Sequence, residues 1–355
     1  MKKFLALLLA LTMALALVAC GGGSDSGDTG AGTTGGDSES GFEPMTWKFA
    51  CSATETSPWV DGAKEFARIV GEKTGGAITV QYYPADQLTA GSQTDGIQAL
   101  MDGTTELSMH SNLIWSSLDQ RCNVVSLPFL FDSVEEADAA LDGAGGQALG
   151  EILESEYNVH LLGIAENGFR HITNSKHAVT SLADMENLKI RVAGSQLLNR
   201  SYELWGADYT NANWSEVFTA LQTGTYDGQE NPLPTADAAS IQEVQSYLTY
   251  WTGAYDCLFF CMNADLYNSL SPELQTIVDE AGQEACVYER ELNRGQDQEI
   301  MDKWAEAGVE VTELSADAAA EFAEASAPVY DEFADELTPE LIEAFTSVTQ
   351  ADNAA

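Results

Sequence analysis

LKIRVAG (residues 188–194) is a short, mostly apolar stretch with an arginine inside it. Successive side chains of a β-strand point to opposite faces, so Ile190 and Val192 lie on one face while Arg191 lies on the other. A guanidinium that is largely shielded from water needs an anion beside it. Two anions fit this pattern. One is a carboxylate of the protein itself, and the other is a ligand carboxylate, whose two oxygens match the rigid donor fork of arginine.

The chain is long and strongly acidic. A length of 355 residues is enough for about two domains with a substantial core. There are 15 Lys and Arg against 56 Asp and Glu, which gives a formal net charge of −41 at pH 7. Such a surface repels nucleic acids and anionic membranes, so the composition argues against both as binding partners.

The N-terminus has the pattern of a secretory signal peptide. Two lysines precede an apolar run over residues 4–18, and the sequence LVAC, which ends at Cys20, resembles the lipobox of bacterial lipoproteins. We therefore predict a signal peptide over residues 1–19 and a lipid-modified Cys20 that anchors the protein on the outer side of the cell membrane. Residues 20–42, rich in Gly, Ser, Thr and Asp, are predicted to form a flexible tether.

The other cysteines show no metal-site pattern. Besides Cys20 there are five, at positions 51, 122, 257, 261 and 286. No Cys-x-x-Cys and no zinc-like His or Cys spacing occurs, so we predict neither a metal site nor a cofactor. Disulfides are chemically allowed outside the cell, and the spacing identifies no particular pair.

The region after the tether alternates strand and helix patterns. The predicted strands are residues 47–50, 77–83 and 106–109. Ser57-Pro58 is typical of an N-cap followed by the first helical position. Strands that alternate with helices form a parallel sheet, and ligands bind beyond the carboxyl ends of its strands. The segments expected around such a cleft are residues 51–55, 83–87 and 110–115.

Two further segments carry polar side chains that need partners. Arg170 lies in the apolar segment GFRHIT, and a second embedded arginine favours a shared anion site, with an internal ion pair as the alternative. Asn231 lies in YDGQENP (residues 226–232). This segment is predicted to be a polar turn, because the proline holds the preceding residue extended.

The C-terminal part of the chain is predicted to be helical. A helical pattern opens at Ser271-Pro272 and lacks a clear stop until Gly308. We predict one helix of about 36 residues and about 54 Å, which is long enough to lie across both domains. The acidic residues 316–348 are predicted to form one or two more helices with solvated charged faces.

Several motifs together resemble those of one known family. They are LPFLF (127–131), GFR followed by Thr173-Asn174, LKIRV (188–192), and the run from Glu216-Val217 through TALQTG (219–224) to DGQENP (227–232). In this order, over residues 45–300, the chain resembles the solute-binding proteins of TRAP transporters, the tripartite ATP-independent periplasmic carriers. The resemblance implies an extracytoplasmic receptor that binds a small organic acid through its carboxylate and delivers it to the membrane subunits of a TRAP transporter.

The resemblance also implies a fold. Proteins of this family are α/β, with a two-domain, periplasmic-binding-protein-like arrangement that closes on its ligand like a clam shell. Hinge strands cross between the domains, and a long helix spans both. Mapped onto this sequence, domain I comprises residues 43–167 plus 257–295, and domain II comprises residues 168–256 plus 296–355.

Matching the motifs residue by residue assigns roles around the ligand. The resemblance implies that Arg191 grips the ligand carboxylate, that Arg170 lies close to the same pocket, and that Asn231 helps to orient the ligand. Further residues expected around the ligand are Phe169, Trp214, Trp115 and Glu55.

The sequence departs from the family pattern near the expected pocket wall. Ala193 stands where proline commonly follows Arg-Val, His177-Ala178 replaces a frequent Arg-Pro, and residues 209–213 lack a proline-containing segment. The resemblance therefore implies a carboxylate ligand and does not identify the acid. A carboxylate-binding lipoprotein that serves an ABC importer or a sensor kinase is the alternative function.

Sequence motifs typical of enzymes are absent. The chain contains no Gly-x-Ser-x-Gly elbow, no His-Glu-x-x-His, no Gly-Lys-Ser/Thr phosphate loop and no dinucleotide fingerprint. Its four histidines form no evident catalytic pair. We therefore predict a binding protein without enzymatic activity.

Overall fold

A computed structural model gives the structure of residues 41–352, with side chains described up to residue 347. The predicted signal peptide (residues 1–19), Cys20 and nearly all of the predicted tether lie outside the described residues. Within the described part of the chain, no helix is both long enough and apolar enough to cross a membrane.

Strands and helices alternate along most of the chain. The strands are β1 (Met45–Cys51), β2 (Ile78–Tyr83), β3 (Leu107–Ser111), β4 (Val159–Phe169), β5 (His171–Asn174), β6 (Lys189–Val192), β7 (Asp208–Asn211), β8 (Gly228–Asn231), β9 (Tyr247–Tyr250), β10 (Tyr255–Asn263) and β11 (Glu310–Glu313). The helices are α1 (Pro58–Lys73), α2 (Gln93–Met101), α3 (Asn112–Trp115), α4 (Val134–Leu141), α5 (Ala144–Glu156), α6 (Gln196–Leu204), α7 (Trp214–Gln222), α8 (Leu233–Ala238), α9 (Ala264–Ser269), α10 (Pro272–Arg294), α11 (Asp297–Glu306), α12 (Ala316–Glu332), α13 (Ala334–Leu337) and α14 (Pro339–Asp352).

The first sheet, sheet A, has the strand order β2-β1-β3-β10-β4. Strands β1, β2 and β3 run parallel, as the strand and helix alternation predicts. Ser57 caps α1 by accepting a hydrogen bond from the backbone N–H of Trp59, and Pro58 is the first helical residue. Strand β10 is antiparallel to both β3 and β4, so sheet A is mixed.

The second sheet, sheet B, has the strand order β11-β9-β5-β8-β6-β7. Strand β6 contains Arg191 and pairs in parallel with both β7 and β8. Strand β8 pairs with β5 on its other side, antiparallel. Arg191 therefore lies on an interior strand, with hydrogen-bonded neighbours on both sides.

Two passages of the chain between the two sheets lie next to each other, and a third runs through α10 and α11 to β11. One passage is Arg170, the single residue between β4 in sheet A and β5 in sheet B. The other is residues 251–254, between β9 and β10. The two passages are hydrogen-bonded to each other, because Arg170 N donates to Ala254 O at 2.9 Å and Trp251 Nε1 donates to Arg170 O at 2.8 Å.

The long helix predicted from Ser271 to Gly308 is wrong as a single element. The structure has α10, which ends at Arg294, and α11, which begins at Asp297. The break falls at Gly295, and glycine has the lowest helix propensity of any residue except proline. Helix α10 packs on α1 and β4, whereas α11 packs on α8 and β11, so the two helices together extend from sheet A to sheet B.

Two other predicted elements also differ in the structure. Residues 226–232, predicted to be a turn, include the buried strand β8, because the polar side chain of Gln229 is paired with Thr173 of β5 and that of Glu230 with Arg170. The acidic C-terminal region forms three helices, α12 to α14, and not one or two. The five cysteines at positions 51, 122, 257, 261 and 286 are buried free thiols.

Helix α10 lies unusually close to strand β4. A Cβ added to Gly282 would come within 2.6 Å of the Cβ of Leu162 and 2.9 Å of its carbonyl oxygen. From the opposite side, a Cβ added to Gly163 would come within 2.7 Å of the Sγ of Cys286. These glycines let the helix backbone pack directly on the strand.

We expect Gly282→Ala to lower the free energy of unfolding by about 1–3 kcal/mol, because its methyl group overlaps the β4 backbone. Gly71→Ala is the matched control, since the nearest atom to its added Cβ is Ile78 O at 3.8 Å. That change should raise the free energy of unfolding by about 0.5–1 kcal/mol through helix propensity. Urea denaturation measures both. A Gly282→Ala protein as stable as the parent would contradict the close packing of α10 on β4.

Candidate functional site

A cavity of about 350 Å³ lies where the strand ends of the two sheets face each other. Residues on the sheet A side include Ser52, Trp59, Gln93, Ser111 and Ile114. Residues on the sheet B side are Arg191, Ala193, Trp214, Asn231 and Thr235. Asn167, Arg170 and Asp256 lie at or beside the two adjacent passages between the sheets.

Arg191 is a buried cation of the cavity wall, with 2% of its surface exposed. Its Nε and Nη2 donate to the carbonyl oxygen of Ala212 at 3.0 and 2.6 Å. Within residues 41–347, no carboxylate oxygen lies within 4.0 Å of the guanidinium. Because a guanidinium has five N–H donors, the two on Nη1 and the second one on Nη2 are left without a protein partner among the described residues.

The surroundings of Arg191 disfavour its charge. Burial is the largest effect and lowers its pKa to about 10, while the carboxylate of Glu230 acts in the opposite direction. The guanidinium carbon lies 5.6 Å from the centre of the Trp214 ring, within the range of a cation–π interaction. An anion entering the cavity would gain the attraction of a cation that is shielded from water.

Arg170 has the opposite situation, because two carboxylates of the protein neutralise it. Its Nε bonds to the carboxylate of Glu230, and its Nη2 donates to Glu230 Oε1 at 3.0 Å and to Glu230 O at 2.9 Å. Its Nη1 bonds to the carboxylate of Asp256. These attractions raise the pKa of Arg170 despite its burial. Arg170 therefore organises the cavity wall without an uncompensated charge.

Asp256 and Glu230 are each held by several donors. Asp256 accepts from Ser111 Oγ and from Asn167 Nδ2, both at 2.7 Å, and burial raises its pKa in spite of Arg170. Glu230 Oε1 accepts from the backbone N–H of Ala193 at 2.8 Å. The two arginines and two carboxylates at the cavity carry equal and opposite charges, so their total charge is zero.

A bulge in strand β4 brings Asn167 to the cavity. Asp256 pairs with Gly168 and Cys257 pairs with Glu166, which leaves Asn167 as the extra residue. Gly168 has a φ of +110°, a backbone conformation that side chains other than glycine rarely adopt. Asn167 then binds Asp256 and also accepts from Thr235 Oγ1 at 2.6 Å.

Several neutral polar groups on the cavity wall lack a hydrogen-bond partner among the described residues. They include Nε1 of Trp59 and Oγ of Ser52, which are buried. Asn231 uses its Nδ2 to donate to Gln229 Oε1 at 2.9 Å, and its Oδ1 has no partner in the described part of the chain. Buried polar groups are normally paired, so these atoms are available to a ligand.

Hydrogen bonds join the two sides at the mouth of the cavity. Thr54 Oγ1 donates to Ala238 O at 3.2 Å, Trp214 N donates to Gln93 Oε1 at 3.3 Å, and Ser215 Oγ donates to Gly91 O at 3.2 Å. A Cβ on Gly91 would lie 2.5 Å from the Oγ of Ser215. In this structure the two sides of the site are therefore in direct contact.

The structure brings four of the predicted ligand-binding residues together, since Arg191, Arg170, Asn231 and Trp214 all line the cavity. No group of three or more His, Cys, Asp or Glu in residues 41–352 is placed to hold a metal ion.

Three predicted residues do not line the cavity. Trp115 is fully buried in the sheet A core, with its ring edge-on to Tyr157 and Phe259. Phe169 packs against Tyr255 and lines a separate cavity, because strand alternation turns it away from Arg170. Glu55 is exposed at the surface, 3.7 Å from the Nζ of Lys64.

Sequence reasoning missed Glu230 and Asp256, the two carboxylates beside Arg170. Asp256 lies in the otherwise apolar strand YDCLFFCMN, and an embedded charge of this kind is the same signal that identified Arg191. Glu230 lies in the recognised QENP motif, next to Asn231. Trp59 was also missed, because nothing in its local sequence separates it from core residues. Ser52 lies in residues 51–55, which were expected around the cleft, but it was not singled out as a binding residue.

We expect Arg170→Met and Arg191→Met to affect stability differently in ligand-free protein. Removing Arg170 leaves Glu230 and Asp256 buried without their cation, so the free energy of unfolding should fall by about 3–5 kcal/mol. Removing Arg191 eliminates a buried charge that has no carboxylate partner, so the change should be below about 1.5 kcal/mol. Urea denaturation after removal of bound ligand measures both values. Equal destabilisation by the two substitutions would contradict the assigned pairing.

Comparison with known proteins places these features in a family. The family described as bacterial extracellular solute-binding protein, family 7 (DctP), matches residues 49–337. The 2,3-diketo-L-gulonate-binding periplasmic protein YiaO of Escherichia coli K12 is 32% identical over 274 residues, which cover 77% of this chain and 83% of that protein.

Solved structures of similar proteins have the same fold. The sugar acid binding protein DctPAm of Advenella mimigardefordensis, in complex with galactonate, has a TM-score of 0.83 and 29% identity, covering 87% of this chain and 99% of that one. A TRAP periplasmic solute-binding protein of Sulfurospirillum deleyianum with bound succinate has a TM-score of 0.80 and 28% identity, covering 86% and 100%. The chain therefore belongs to family 7 of the bacterial extracellular solute-binding proteins and has the fold of TRAP-transporter solute receptors.

Proposed function

We propose that this protein is an extracytoplasmic receptor that binds a small organic acid and delivers it to the membrane subunits of a TRAP transporter. The observation that carries this proposal is Arg191, a buried arginine on the cavity wall with no carboxylate of the described residues beside it. The bound galactonate and succinate of similar receptors support an acid as the ligand. Family 7 is a family of transport proteins and not a class of enzymes.

The ligand carboxylate would lie along the Nη1–Nη2 edge of Arg191. Nη2 has one N–H left after its bond to Ala212 O, and Nη1 has two, so this edge can donate two parallel hydrogen bonds. Asn231 and Trp214 lie on the same side of the cavity and would orient the rest of the ligand. Arg170 would hold Glu230 and Asp256 in place beside it.

Binding would proceed by closure of the two sides of the cavity. A ligand that contacts residues of both sides stabilises the closed form over the open one. The hydrogen bonds at the mouth, such as Ser215 to Gly91, would form only on closure. The hydrogen-bonded passages at Arg170 and residues 251–254 would serve as the hinge.

The domain division that follows is residues 43–167 plus 257–295 and residues 168–256 plus 296–355. Sheet A and α10 support the first domain, while β5 to β9, β11 and α11 support the second. The C-terminal helix α14 does not fit this division, since it packs against α4 and α5 of the first domain although the division assigns it to the second.

Anchoring through a lipid on Cys20, after removal of residues 1–19, is also part of the proposal. It rests on the LVAC sequence and on the Gly- and Ser-rich residues that follow it. We expect Cys20→Ser expressed in a bacterial host to lose incorporation of radiolabelled palmitate and to leave the membrane fraction, while Cys51→Ser keeps both. A Cys20→Ser protein that remains labelled would contradict lipidation at this residue.

We expect Arg191→Met to weaken binding of the acid by about 2–5 kcal/mol, because a buried ligand carboxylate would lose its charged partner. A thermal-shift screen of mono- and dicarboxylic, keto and sugar acids identifies an acid that stabilises the parent protein, and calorimetry then compares the variants. Arg200→Met is the matched control, since Arg200 lies at the surface and pairs with Glu203 and Glu332.

The control substitution should leave the dissociation constant within about twofold of the parent value, since surface ion pairs contribute little. Unchanged affinity of Arg191→Met would show that the carboxylate binds elsewhere.

A further inference from the structure

We propose that the cavity takes a polyhydroxylated acid with a single carboxylate and discriminates against dicarboxylic acids, and that Trp59 and Ser52 bind the hydroxyl groups. This inference rests on the proposed function, because it starts from a ligand carboxylate on Arg191. It names the substrate class of the same site and assigns specificity to two residues on the opposite wall.

The cavity has an unpaired positive charge for only one ligand carboxylate. Arg170 and Arg191 are the cations among the residues that line it. Arg170 already faces two carboxylates, Glu230 and Asp256, so these three side chains together are negative. A second ligand carboxylate would find no free cation and would lie in a closed, water-poor space near two fixed carboxylates. Burying an unpaired charge in this way is strongly unfavourable.

The wall opposite Arg191 offers neutral groups that suit hydroxyls. Trp59 Nε1 can only donate, and Ser52 Oγ can donate and accept. Both atoms are buried and have no partner among the described residues, and both side chains line the cavity. Trp205 Nε1 and Trp304 Nε1 donate to Ser326 Oγ and Asp237 Oδ1, both at 2.8 Å. Trp47 Nε1 and Trp115 Nε1 are buried without a described partner as well, but they lie outside the cavity, so it is the position of Trp59 on the cavity wall that makes its N–H available to a ligand.

The Arg191 wall adds neutral groups of its own. Asn231 Oδ1 has no partner within the described residues and can accept a hydrogen bond from a hydroxyl. Gln93 uses its Oε1 for the Trp214 backbone, and its Nε2 has no partner in the same part of the chain. One cation surrounded by neutral donors and acceptors fits a chain with one carboxylate and several hydroxyls.

Calorimetry with two sets of matched compounds tests the substrate class. Galactonate, hexanoate, adipate and galactitol have six carbons each and vary the carboxylate and hydroxyl content separately. Erythronate, butyrate, succinate and erythritol do the same with four carbons. We expect galactonate or erythronate to bind at least about 100-fold more tightly than the other members of its set, because the unpaired wall groups reject ligands without hydroxyls.

Substitutions test the two assigned residues. We expect Trp59→Phe and Ser52→Ala each to weaken the polyhydroxy acid about tenfold, the value of one lost hydrogen bond. Binding of the matched acid without hydroxyls should change by less than about threefold, since those hydrogen bonds do not form with it. Trp47→Phe and Ser108→Ala are the matched controls, because Trp47 Nε1 and Ser108 Oγ are also buried without a described partner but lie outside the cavity.

The possible results separate this inference from the proposed function. Succinate or adipate binding as tightly as the polyhydroxy acid, with affinity lost in Arg191→Met, would overturn the substrate class and leave the proposed function standing. If Ser52→Ala and Ser108→Ala weaken binding of the polyhydroxy acid equally, the residue assignment is wrong. This comparison remains decisive if Trp59→Phe fails to fold. If no acid of the two sets or of the wider screen binds, both the substrate class and the proposed function are wrong.

Discussion

The ion pairs of Arg170 with Glu230 and Asp256 are the interaction on which the site depends. Glu230 lies on β8 of sheet B, Asp256 lies on β10 of sheet A, and Arg170 is the single residue that links β4 to β5. One guanidinium therefore joins both sheets at the point where the chain passes between them. Ser111, Asn167 and the Ala193 backbone add neutral hydrogen bonds to the same carboxylates. This network holds the back of the cavity together from both sheets.

The same network determines what Arg191 can do. Glu230 and Asp256 are occupied by Arg170, so Arg191 is left with a carbonyl oxygen and the face of Trp214. A buried cation without a carboxylate partner reduces the stability of the empty protein, and in the proposed function a ligand carboxylate supplies that partner. In that proposal binding and closure are coupled, because the anion would stabilise the form in which Arg191 is most enclosed. A charge of this kind lowers the stability of the empty protein and raises its affinity for an anion, a compromise that is common in binding sites.

The sequence predicted the features that depend on local pattern. Strand alternation and an embedded charge were enough to single out Arg191, and the parallel strands followed from their alternation with helices. Partners distant in sequence could not be predicted, since Asp256 is 86 residues from Arg170. The polar sequence of strand β8 predicted a turn, because the hydrogen-bond partners of its side chains lie in other segments of the chain. Trp115 and Trp59 have similar local contexts, and only the packing of the sheets shows that Trp59 faces the cavity and Trp115 the core.

A crystal structure of the protein with a bound acid tests the central claim most directly. We expect a ligand carboxylate on the Nη1–Nη2 edge of Arg191, with two N···O distances of about 2.7–2.9 Å, as for charge-assisted pairs. We also expect Arg170 to keep its bonds to Glu230 and Asp256. A carboxylate bound to Arg170, or an Arg191 paired with a protein carboxylate while the ligand lies elsewhere, would contradict the account.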